Sequence, residues 1–135
     1  MSKIKSKDTI SEIIVRKFLF SKGFRYRLYD KRYPGKPDIV LPKYKTIIFI
    51  HGCFWHGHKD CKRSKLPKTK EMFWREKILN NIERDKKNIN ELVENGWNVI
   101  VIWECELSNK TKQNNRLNKL IYEIDPKYNS DKIQK

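Results

Sequence analysis

The sequence predicts a mixed α/β domain, and three observations carry that prediction. Apolar residues recur at helical spacing near the N-terminus and again across residues 71–95, whereas three short segments between residues 25 and 50 and another at 97–103 have the character of strands. A strand, a helix and a strand in that order favour a right-handed crossover with the two strands parallel. At 135 residues with 38% hydrophobic content, the chain has enough apolar material for one core.

The first predicted helix begins at a capping box. Thr9 precedes Glu12 by three residues, the spacing at which the two side chains and two backbone N–H groups bond reciprocally. Gly23 suits the end of this helix because glycine adopts the left-handed conformation freely. The apolar residues at helical spacing between these two signals are Ile10, Ile13, Ile14 and Phe18.

Three strands are predicted between the first and second helices. Residues 25–29, RYRLY, alternate in polarity, which is typical of a strand with one buried face. The segment YPGKPD that follows predicts a turn, because two prolines flank a glycine. Beyond it, residues 38–41 form a short apolar strand that Pro42 stops, and residues 46–50, TIIFI, form a more central one.

A long second helix is predicted from about Glu71 to Asn95, with Gly96 ending it. Its inner side is predicted to carry Ile78, Ile82, Ile89, Leu92 and Val93. The next strand is residues 97–103, WNVIVIW, and a last helix is expected over about 112–124. These elements complete the order of the α/β domain.

The charge balance favours a polyanionic partner. Thirty-one Lys and Arg against sixteen Asp and Glu give a net charge of +15 at pH 7, a field that attracts nucleic acid and speeds association with it. An anionic membrane surface is a second candidate, but the sequence lacks an amphipathic anchor with a strongly apolar face. We expect phosphate contacts from Lys3, Lys5 and Lys7 near the N-terminus and from the stretch Lys62–Lys70.

The composition also predicts a soluble, intracellular protein. The longest apolar run is strand-sized, so a membrane span is excluded, and Glu12, Arg16 and Lys17 interrupt any signal-peptide core. We predict one domain over residues 1–135, with a basic N-terminal arm at about 1–8 and a flexible tail at about 125–135. A cytoplasmic, DNA-associated location follows from these expectations.

Two of the three cysteines and all three histidines lie within FIHGCFWHGHKDC, residues 49–61. Cys53, His58 and Cys61 offer two thiolates and an imidazole, and Cys105, just beyond the last strand, is the remaining cysteine. If the crossover sets that strand beside the one before the loop, Cys105 completes a tetrahedral zinc site that clamps an irregular segment. The alternative is three unrelated buried thiols; the polar surroundings favour zinc.

The two remaining histidines, His51 and His56, suit a general base or a phosphate partner near neutral pH. A carboxylate, Asp38, follows a proline directly before a short strand, and the next strand reaches Phe49 eleven residues later. This layout resembles a PD-(D/E)XK nuclease core with Phe49 in place of the second acid and His51 in place of the lysine. Asp38 and one backbone carbonyl, with water and phosphate oxygens, are sufficient ligands for magnesium. The alternative is a turn aspartate after proline.

Longer motifs resemble one family. The segments SKDT, PGKPDIV, HGCFWHGHKDC, FWREKILNNIERD and GWNVIVIWECEL, in this order from about Ser6 to Leu107, resemble the very short patch repair (Vsr) endonucleases. The resemblance implies a single three-layer restriction-endonuclease-like domain, in which helices flank a mixed central sheet and a structural zinc site holds a loop. It also implies strand nicking at T·G mismatches, which arise when 5-methylcytosine deaminates. The spacing from His58 to Cys61 is one residue longer than in the best-known member of the family.

Carried over by motif, the resemblance assigns roles to residues of the central segment. Asp38 would bind magnesium together with the backbone carbonyl of Ile50, which is compatible with an apolar side chain. His56 would be the general base, and His51 would occupy the lysine position and support the phosphate. The other implied roles are zinc ligands (Cys53, His58, Cys61 and Cys105), acidic helpers (Glu12 and Asp85) and aromatic residues that wedge into DNA beside the mismatch (Phe54 and Trp55).

Some of these residues also have simpler local explanations. Glu12 completes the capping box, and the two roles are compatible. Asp85 lies in a long charged helix where most acids are solvated, although its spacing from apolar neighbours places it on the inner side. Phe54 and Trp55 would ordinarily be core residues, but they lie in a polar loop, so we expect at least one to be exposed and available to unstack a base step.

We therefore predict a magnesium-dependent endonuclease that nicks DNA 5′ to the thymine of a T·G mismatch, leaving 3′-hydroxyl and 5′-phosphate ends. A single-strand nick needs one active site, so a monomer is expected, with accessory mismatch-repair proteins as further partners. Two alternatives remain: a related nuclease of restriction or defence that cuts unmismatched or modified DNA, and a zinc-containing DNA-binding module without chemistry. The second alternative leaves Asp38 and His56 without a purpose.

Overall fold

The computed structural model describes residues 9–128, so Lys3, Lys5, Lys7 and the predicted tail from residue 129 onward lie outside the described residues. The described part forms three α-helices: α1 (Ile10–Ser21), α2 (Glu71–Glu94) and α3 (Lys110–Ile124). Its four strands are β1 (Arg27–Leu28), β2 (Ile39–Leu41), β3 (Thr46–His51) and β4 (Asn98–Trp103). Each predicted helix and strand is therefore present. Among the described residues, none of the helices has the length and hydropathy that a bilayer crossing requires.

The four strands form one mixed sheet in the order β1-β2-β3-β4. β2 runs antiparallel to both β1 and β3, whereas β3 and β4 are parallel along their whole lengths. Because α2 connects β3 to β4, the predicted crossover between parallel strands is confirmed. β1 is shorter than the predicted strand 25–29: only Arg27 and Leu28 pair with β2, and the next residue, Tyr29, leaves extended conformation with a φ of 50°.

Helices cover both faces of the sheet, which gives three layers. Consecutive strand residues point to opposite faces, and they join two separate apolar clusters. The first cluster, under α1 and α3, includes Val15, Leu19, Ile39, Leu41, Ile48, Ile100, Ile102, Leu117, Leu120 and Ile121. The second, under α2, includes Val40, Ile47, Phe49, Ile89, Leu92, Val99 and Val101. The carboxyl end of β3 lies between the middle of α2 and the start of α1.

The apolar stripe of α2 is narrower than predicted. Ile78 and Leu92 are buried, and Ile82 and Ile89 are half-buried. Val93 was expected on the same side but is 54% exposed, so that prediction is wrong. The spacing of three or four residues from Ile78 to Leu92 already follows one face, and a residue directly after Leu92 is turned about 100° away from it.

Charged side chains cover the outer edge of β4. The backbone N–H of Trp103 donates to Glu106 at 2.8 Å, and Arg116 of α3 reaches the carbonyl oxygen of Val101 at 3.5 Å. Arg116 also pairs with Glu106 at 3.2 Å and with Glu123 at 2.6 Å. These bonds satisfy backbone groups that would otherwise be open to pairing with another strand, and they attach α3 to the sheet.

Replacing Arg116 with alanine should lower the free energy of unfolding by about 2–3 kcal/mol, because the change leaves partly buried carboxylates unpaired. The side chain of Arg116 is only 9% exposed. Urea unfolding followed by circular dichroism measures the loss. Arg75→Ala is the matched control: its pair with Glu71 spans 3.9 Å at the surface, so a loss below about 0.5 kcal/mol is expected. Equal losses in both variants would contradict the assignment.

Candidate functional site

A cleft of about 640 Å³ opens where the carboxyl end of β3 meets the start of α1 and the middle of α2. Five polar residues that the sequence analysis selected line this cleft, although they come from α1, the segment before β2, β3, the loop after it and α2. They are Glu12, Asp38, His51, His56 and Asp85. The predicted catalytic residues are therefore brought together in one place.

Asp38 lies at the point where the pairing of β2 and β3 ends. Its Oδ2 accepts a hydrogen bond of 2.7 Å from the backbone N–H of Ile50. The backbone pairing of the two strands ends at the Ile39–Ile48 pair, so this side chain satisfies the next N–H of β3 that faces β2. The N–H and C=O of one residue in a strand face the same neighbour. The carbonyl oxygen of Ile50 therefore faces the side on which Asp38 lies, and two hard oxygen ligands of the kind that magnesium prefers are adjacent.

A buried carboxylate, Glu12, and a half-buried one, Asp38, lie side by side in the cleft. The pKa of Asp38 is raised from the ordinary 3.8 to about 7, mainly by burial and also by the neighbouring Glu12, against the lowering effect of the bond from the N–H of Ile50. Glu12 is 4% exposed, and its Oε2 accepts bonds from the N–H and hydroxyl of Thr9 at 3.0 and 2.7 Å. The capping role and the site position of Glu12 are thus compatible. A cation here would offset the repulsion between the two acids.

His56 and Asp85 form a directly bonded pair. His56 Nδ1 and Asp85 Oδ2 are 2.6 Å apart, and both side chains are about three-quarters buried or more, with exposures of 26% and 20%. The bond favours the tautomer protonated on Nδ1, which leaves Nε2 as a hydrogen-bond and proton acceptor. A carboxylate in this position orients an imidazole and stabilises its protonated form. The predicted inward position of Asp85 on α2 is observed.

His51 is held as a neutral ring. Its imidazole stacks on that of His56 with a centroid separation of 3.8 Å and an interplanar angle of 5°. The pKa of His51 is lowered to about 4, mainly by burial and also by His56, against an opposing effect of Asp85. Nδ1 is buried and has no hydrogen-bond partner within residues 9–128. At neutral pH the ring therefore offers a neutral donor and acceptor, not the positive charge of a lysine.

The four predicted zinc ligands converge. One ligand atom from each of Cys53, His58, Cys61 and Cys105 lies within 4.8 Å of all the others, and Cys105 Sγ is 3.5 Å from His58 Nδ1. Tetrahedral zinc with ordinary Zn–S and Zn–N bonds requires edges of about 3.4–3.8 Å. Burial raises the pKa of Cys53 to about 12, so this thiol stays protonated until a cation displaces the proton. The donor set and its geometry fit a metal centre.

Two residues that the sequence analysis did not select connect this centre to the cleft. The ring of Trp103 stacks on His58 at 4.0 Å and meets His51 edge-on at 5.1 Å. Glu104 Oε1 accepts a hydrogen bond of 3.1 Å from the N–H of Cys53. The position of Trp103 could have been expected, because it ends the strand that was predicted to run parallel to the strand before the loop. The observed register pairs it directly with His51. Glu104 had no comparable signal beyond its place beside Cys105.

The loop between the two sites packs tightly on α2 at Gly57. This residue has a φ of 57°, and a Cβ at its position would lie 2.7 Å from side-chain carbons of both Ile78 and Ile82. Asn81 of the same helix donates to the carbonyl oxygen of Trp55 at 2.9 Å. Because Gly57 separates His56 from His58, its contact with α2 sets the position of the cleft histidine and of the metal ligand together.

Gly57→Ala should lower the free energy of unfolding by about 2–4 kcal/mol, from the left-handed backbone and from overpacking against α2. The displaced loop should also bind zinc more weakly. Urea unfolding and zinc content per chain are the measurements. Gly52→Ala is the control, since a Cβ there meets only Trp55 at an ordinary 3.6 Å. Full zinc content and unchanged stability in Gly57→Ala would show that the close contact is not needed.

Phe54 and Trp55 belong to a larger aromatic group. Both are half-buried, and each meets Trp74 at the start of α2, with centroid separations of 5.6 and 5.8 Å. Phe73, which is 56% exposed, lies 5.2 Å from Trp74, and Lys77 Nζ lies about 6 Å from the rings of Trp55 and Trp74. Trp74 was not selected, although it stands in the motif FWREK. The group forms an aromatic surface with a cation at its edge.

Comparisons with known proteins identify relatives of this chain. A family model described as DNA mismatch endonuclease Vsr matches residues 1–63. A type II nicking enzyme of Neisseria meningitidis is 60% identical over 92% of this chain and 88% of its own length, and one of Xanthomonas oryzae is 46% identical over 80% and 79%. The DNA mismatch endonuclease Vsr of Escherichia coli is 43% identical over 83% of this chain and 71% of its own.

Proposed function

The chain belongs to the Vsr family of DNA endonucleases, and from that premise we propose that it nicks one strand of duplex DNA 5′ to the thymine of a T·G mismatch. The observation that carries the proposal is the cleft itself. Asp38, bonded to the backbone of Ile50, faces the hydrogen-bonded pair of His56 and Asp85. Acids and imidazoles from separate elements meet there, which a DNA-binding module without chemistry would not need.

The cation proposed for this cleft is magnesium. The carboxylate of Asp38 and the carbonyl oxygen of Ile50 would hold it, with water and phosphate oxygens completing its shell. Bound there, it would supply neutralisation of the charge that develops on the phosphate and on the departing 3′ oxygen. Glu12, buried beside Asp38, adds negative charge that attracts the cation and supplies a fixed acceptor for hydrogen bonds from water.

His56 is the proposed general base. Its Nε2 would accept a proton from the attacking water, and the carboxylate of Asp85, bonded at 2.6 Å, would stabilise the imidazolium that forms. His51 would donate a hydrogen bond to a phosphate oxygen as a neutral ring, in agreement with its lowered pKa. Attack of water on the phosphorus and departure of the 3′ oxygen leave 3′-hydroxyl and 5′-phosphate ends.

The second proposed metal is structural zinc. Cys53, His58, Cys61 and Cys105 would hold it as a closed tetrahedral site without an open position for substrate. The loop between Cys53 and His58 carries both the proposed base, His56, and the aromatic residues. By fixing the loop at its two ends, zinc would hold these side chains in place without taking a direct part in the reaction.

Mismatch selectivity is proposed to come from the aromatic group. Phe54 and Trp55, supported by Trp74, would insert between base pairs beside the T·G pair, where unstacking costs less than in a regular duplex. The exposed side chains of Lys62, Lys65 and neighbouring basic residues would contact phosphates. Lys3, Lys5 and Lys7 of the N-terminal arm are proposed to add further phosphate contacts. A monomer suffices for a nick, and accessory mismatch-repair proteins are proposed partners.

A second candidate is a nuclease associated with restriction that cuts unmismatched or modified DNA. Its support is that two of the relatives named above are type II nicking enzymes. The same cleft and metal centre would serve either substrate, because the fold does not fix specificity.

End-labelled duplexes that differ in one base pair test the proposal. Each duplex carries T·G, another mismatch or the matched T·A or C·G parent, and is incubated with magnesium or with EDTA before denaturing electrophoresis. We expect one nick, in the thymine strand, 5′ to the mispaired thymine, only with T·G and only with magnesium. Equal cleavage of the matched parents would favour the restriction candidate, and binding without any strand break would overturn both.

A further inference from the structure

Tyr29 touches Glu12 and Asp38, the two neighbouring acids of the cleft, although the motifs that mark the site do not include it. Its hydroxyl donates to Glu12 Oε1 at 2.8 Å. Its backbone N–H donates to the carbonyl oxygen of Asp38 at 3.3 Å. The residue stands at the end of the edge strand β1, seventeen positions along the chain from Glu12, so the contact is a property of the tertiary fold.

The hydroxyl of Tyr29 completes the support of the Glu12 carboxylate. Thr9 binds only Oε2, through its N–H and its hydroxyl. A carboxylate held at one oxygen still has freedom about its last torsion, which is broad. The bond from Tyr29 to Oε1 removes that freedom and fixes the plane of the carboxylate beside Asp38.

The backbone conformation of Tyr29 is also unusual, and it favours the same contact with Glu12. Its φ of 50° lies in the left-handed region. The other non-glycine residues with positive φ among the described residues are three lysines and one aspartate. This conformation costs about 1–2 kcal/mol for a residue with a Cβ and is rare for a bulky side chain. It directs the ring from the end of the edge strand toward α1, where the hydroxyl meets Glu12.

We propose that Tyr29 is a positioning residue for catalysis. It fixes the Glu12 carboxylate next to Asp38, so that Glu12 acts as an oriented acceptor in the cleft. The proposal rests on the function proposed above, in which Glu12 assists the reaction. Tyr29 does not line the cleft, so its proposed effect on the reaction acts through Glu12. Loss of its hydroxyl should therefore reduce kcat, since misorientation of a catalytic group by a fraction of an ångström is costly, and should leave DNA affinity unchanged.

The chain provides a matched pair of variants. Tyr26 lies three residues earlier and also donates from its hydroxyl to α1, but to the backbone carbonyl of Arg16 at 3.3 Å. Among the described residues, Tyr29→Phe and Tyr26→Phe each remove one hydrogen bond to α1, so the loss of that bond should lower the free energy of unfolding by about 1 kcal/mol in each variant. Single-turnover nicking should fall about tenfold in Tyr29→Phe and less than twofold in Tyr26→Phe. The dissociation constant for the duplex in EDTA should stay within twofold in both.

Glu12→Gln completes the test. In that background, adding Tyr29→Phe should have almost no further effect on kcat, because the two residues act as a unit. Full activity of Tyr29→Phe, equal losses in the two phenylalanine variants, or an undiminished effect of Tyr29→Phe beside Glu12→Gln would overturn the proposal. The variants are assayed on whichever duplex the unaltered protein cuts, so a failure of T·G specificity is recognised separately and does not alter the comparison.

Discussion

Replacing Asp38 with asparagine should reduce magnesium-dependent nicking by a factor of about 1,000 or more, since the change removes the only side-chain ligand proposed for the catalytic cation. Asparagine keeps an oxygen that can accept the 2.7 Å bond from the N–H of Ile50, so the fold should be retained. Single-turnover nicking of the T·G duplex is the measurement. Asp30→Asn is the control: Asp30 bonds Arg32 at the surface, and its loss should change the rate less than twofold. Nicking by Asp38→Asn at the normal rate would refute the role.

The same variant has a predicted effect on stability. The folded pKa of Asp38, about 7, exceeds the ordinary 3.8. The folded protein thus holds a proton that the unfolded chain releases, and stability is lost as the pH rises toward 7. Without divalent cations, Asp38→Asn should be more stable than the unaltered protein at about pH 8 and similar to it below about pH 4. Magnesium should stabilise the unaltered protein and not the variant. Urea unfolding at both pH values, with and without magnesium, measures all three effects.

The order of the helices and strands was predictable because the signals are local. The capping box of Thr9 and Glu12 begins α1 as predicted, and the apolar runs of β3 and β4 end within one residue of the predicted positions. The error at Val93 has a simple cause. A stripe of apolar residues identifies the buried face of a helix but not its width, which depends on how closely the sheet approaches.

The proximity of the candidate zinc ligands was predictable because three of them lie in one contiguous motif, and the parallel pairing of β3 with β4 brings Cys105 to the loop. What a sequence does not contain is the direction in which a side chain from another element points. Tyr29 belongs to an alternating strand pattern, yet its φ of 50° turns its hydroxyl onto Glu12. Glu12 itself was explained locally by the capping box, and only the folded chain brings its second oxygen into the cleft.

Trp74 illustrates the same limit for the aromatic surface. Phe54 and Trp55 were expected to include an exposed residue because they lie in a polar loop, but both are half-buried. Their rings contact the ring of Trp74, which lies at the start of α2. Trp74 precedes the buried Ile78 by four residues, and this helical spacing would indicate that Trp74 is a core residue. The distinction between a core tryptophan and a support for the group proposed to face DNA required the position of the loop.

The second large effect is expected when the proposed zinc centre is broken at Cys105. This ligand comes from the turn after β4 and connects the loop to the sheet, since Cys53, His58 and Cys61 all lie within the loop segment. Cys105→Ser should therefore lower zinc from one atom per chain to well below one and reduce nicking at least about 100-fold, because His56 and the aromatic residues lose their fixed positions. Zinc content by mass spectrometry and single-turnover nicking are the measurements.

Ser64→Ala separates loss of the metal from loss of loop hydrogen bonds. The hydroxyl of Ser64 donates to the carbonyl oxygens of His58 and Cys61, both at 2.7 Å, but it is not a ligand. This variant should keep one zinc per chain and nick within about threefold of the normal rate, since only a neutral hydrogen bond is lost. Because the sheet and its two apolar clusters do not depend on the loop, Cys105→Ser should still unfold cooperatively in urea. A zinc-free protein that nicks at the normal rate would show that the loop holds its shape through the contacts of Gly57 and Asn81 with α2 alone.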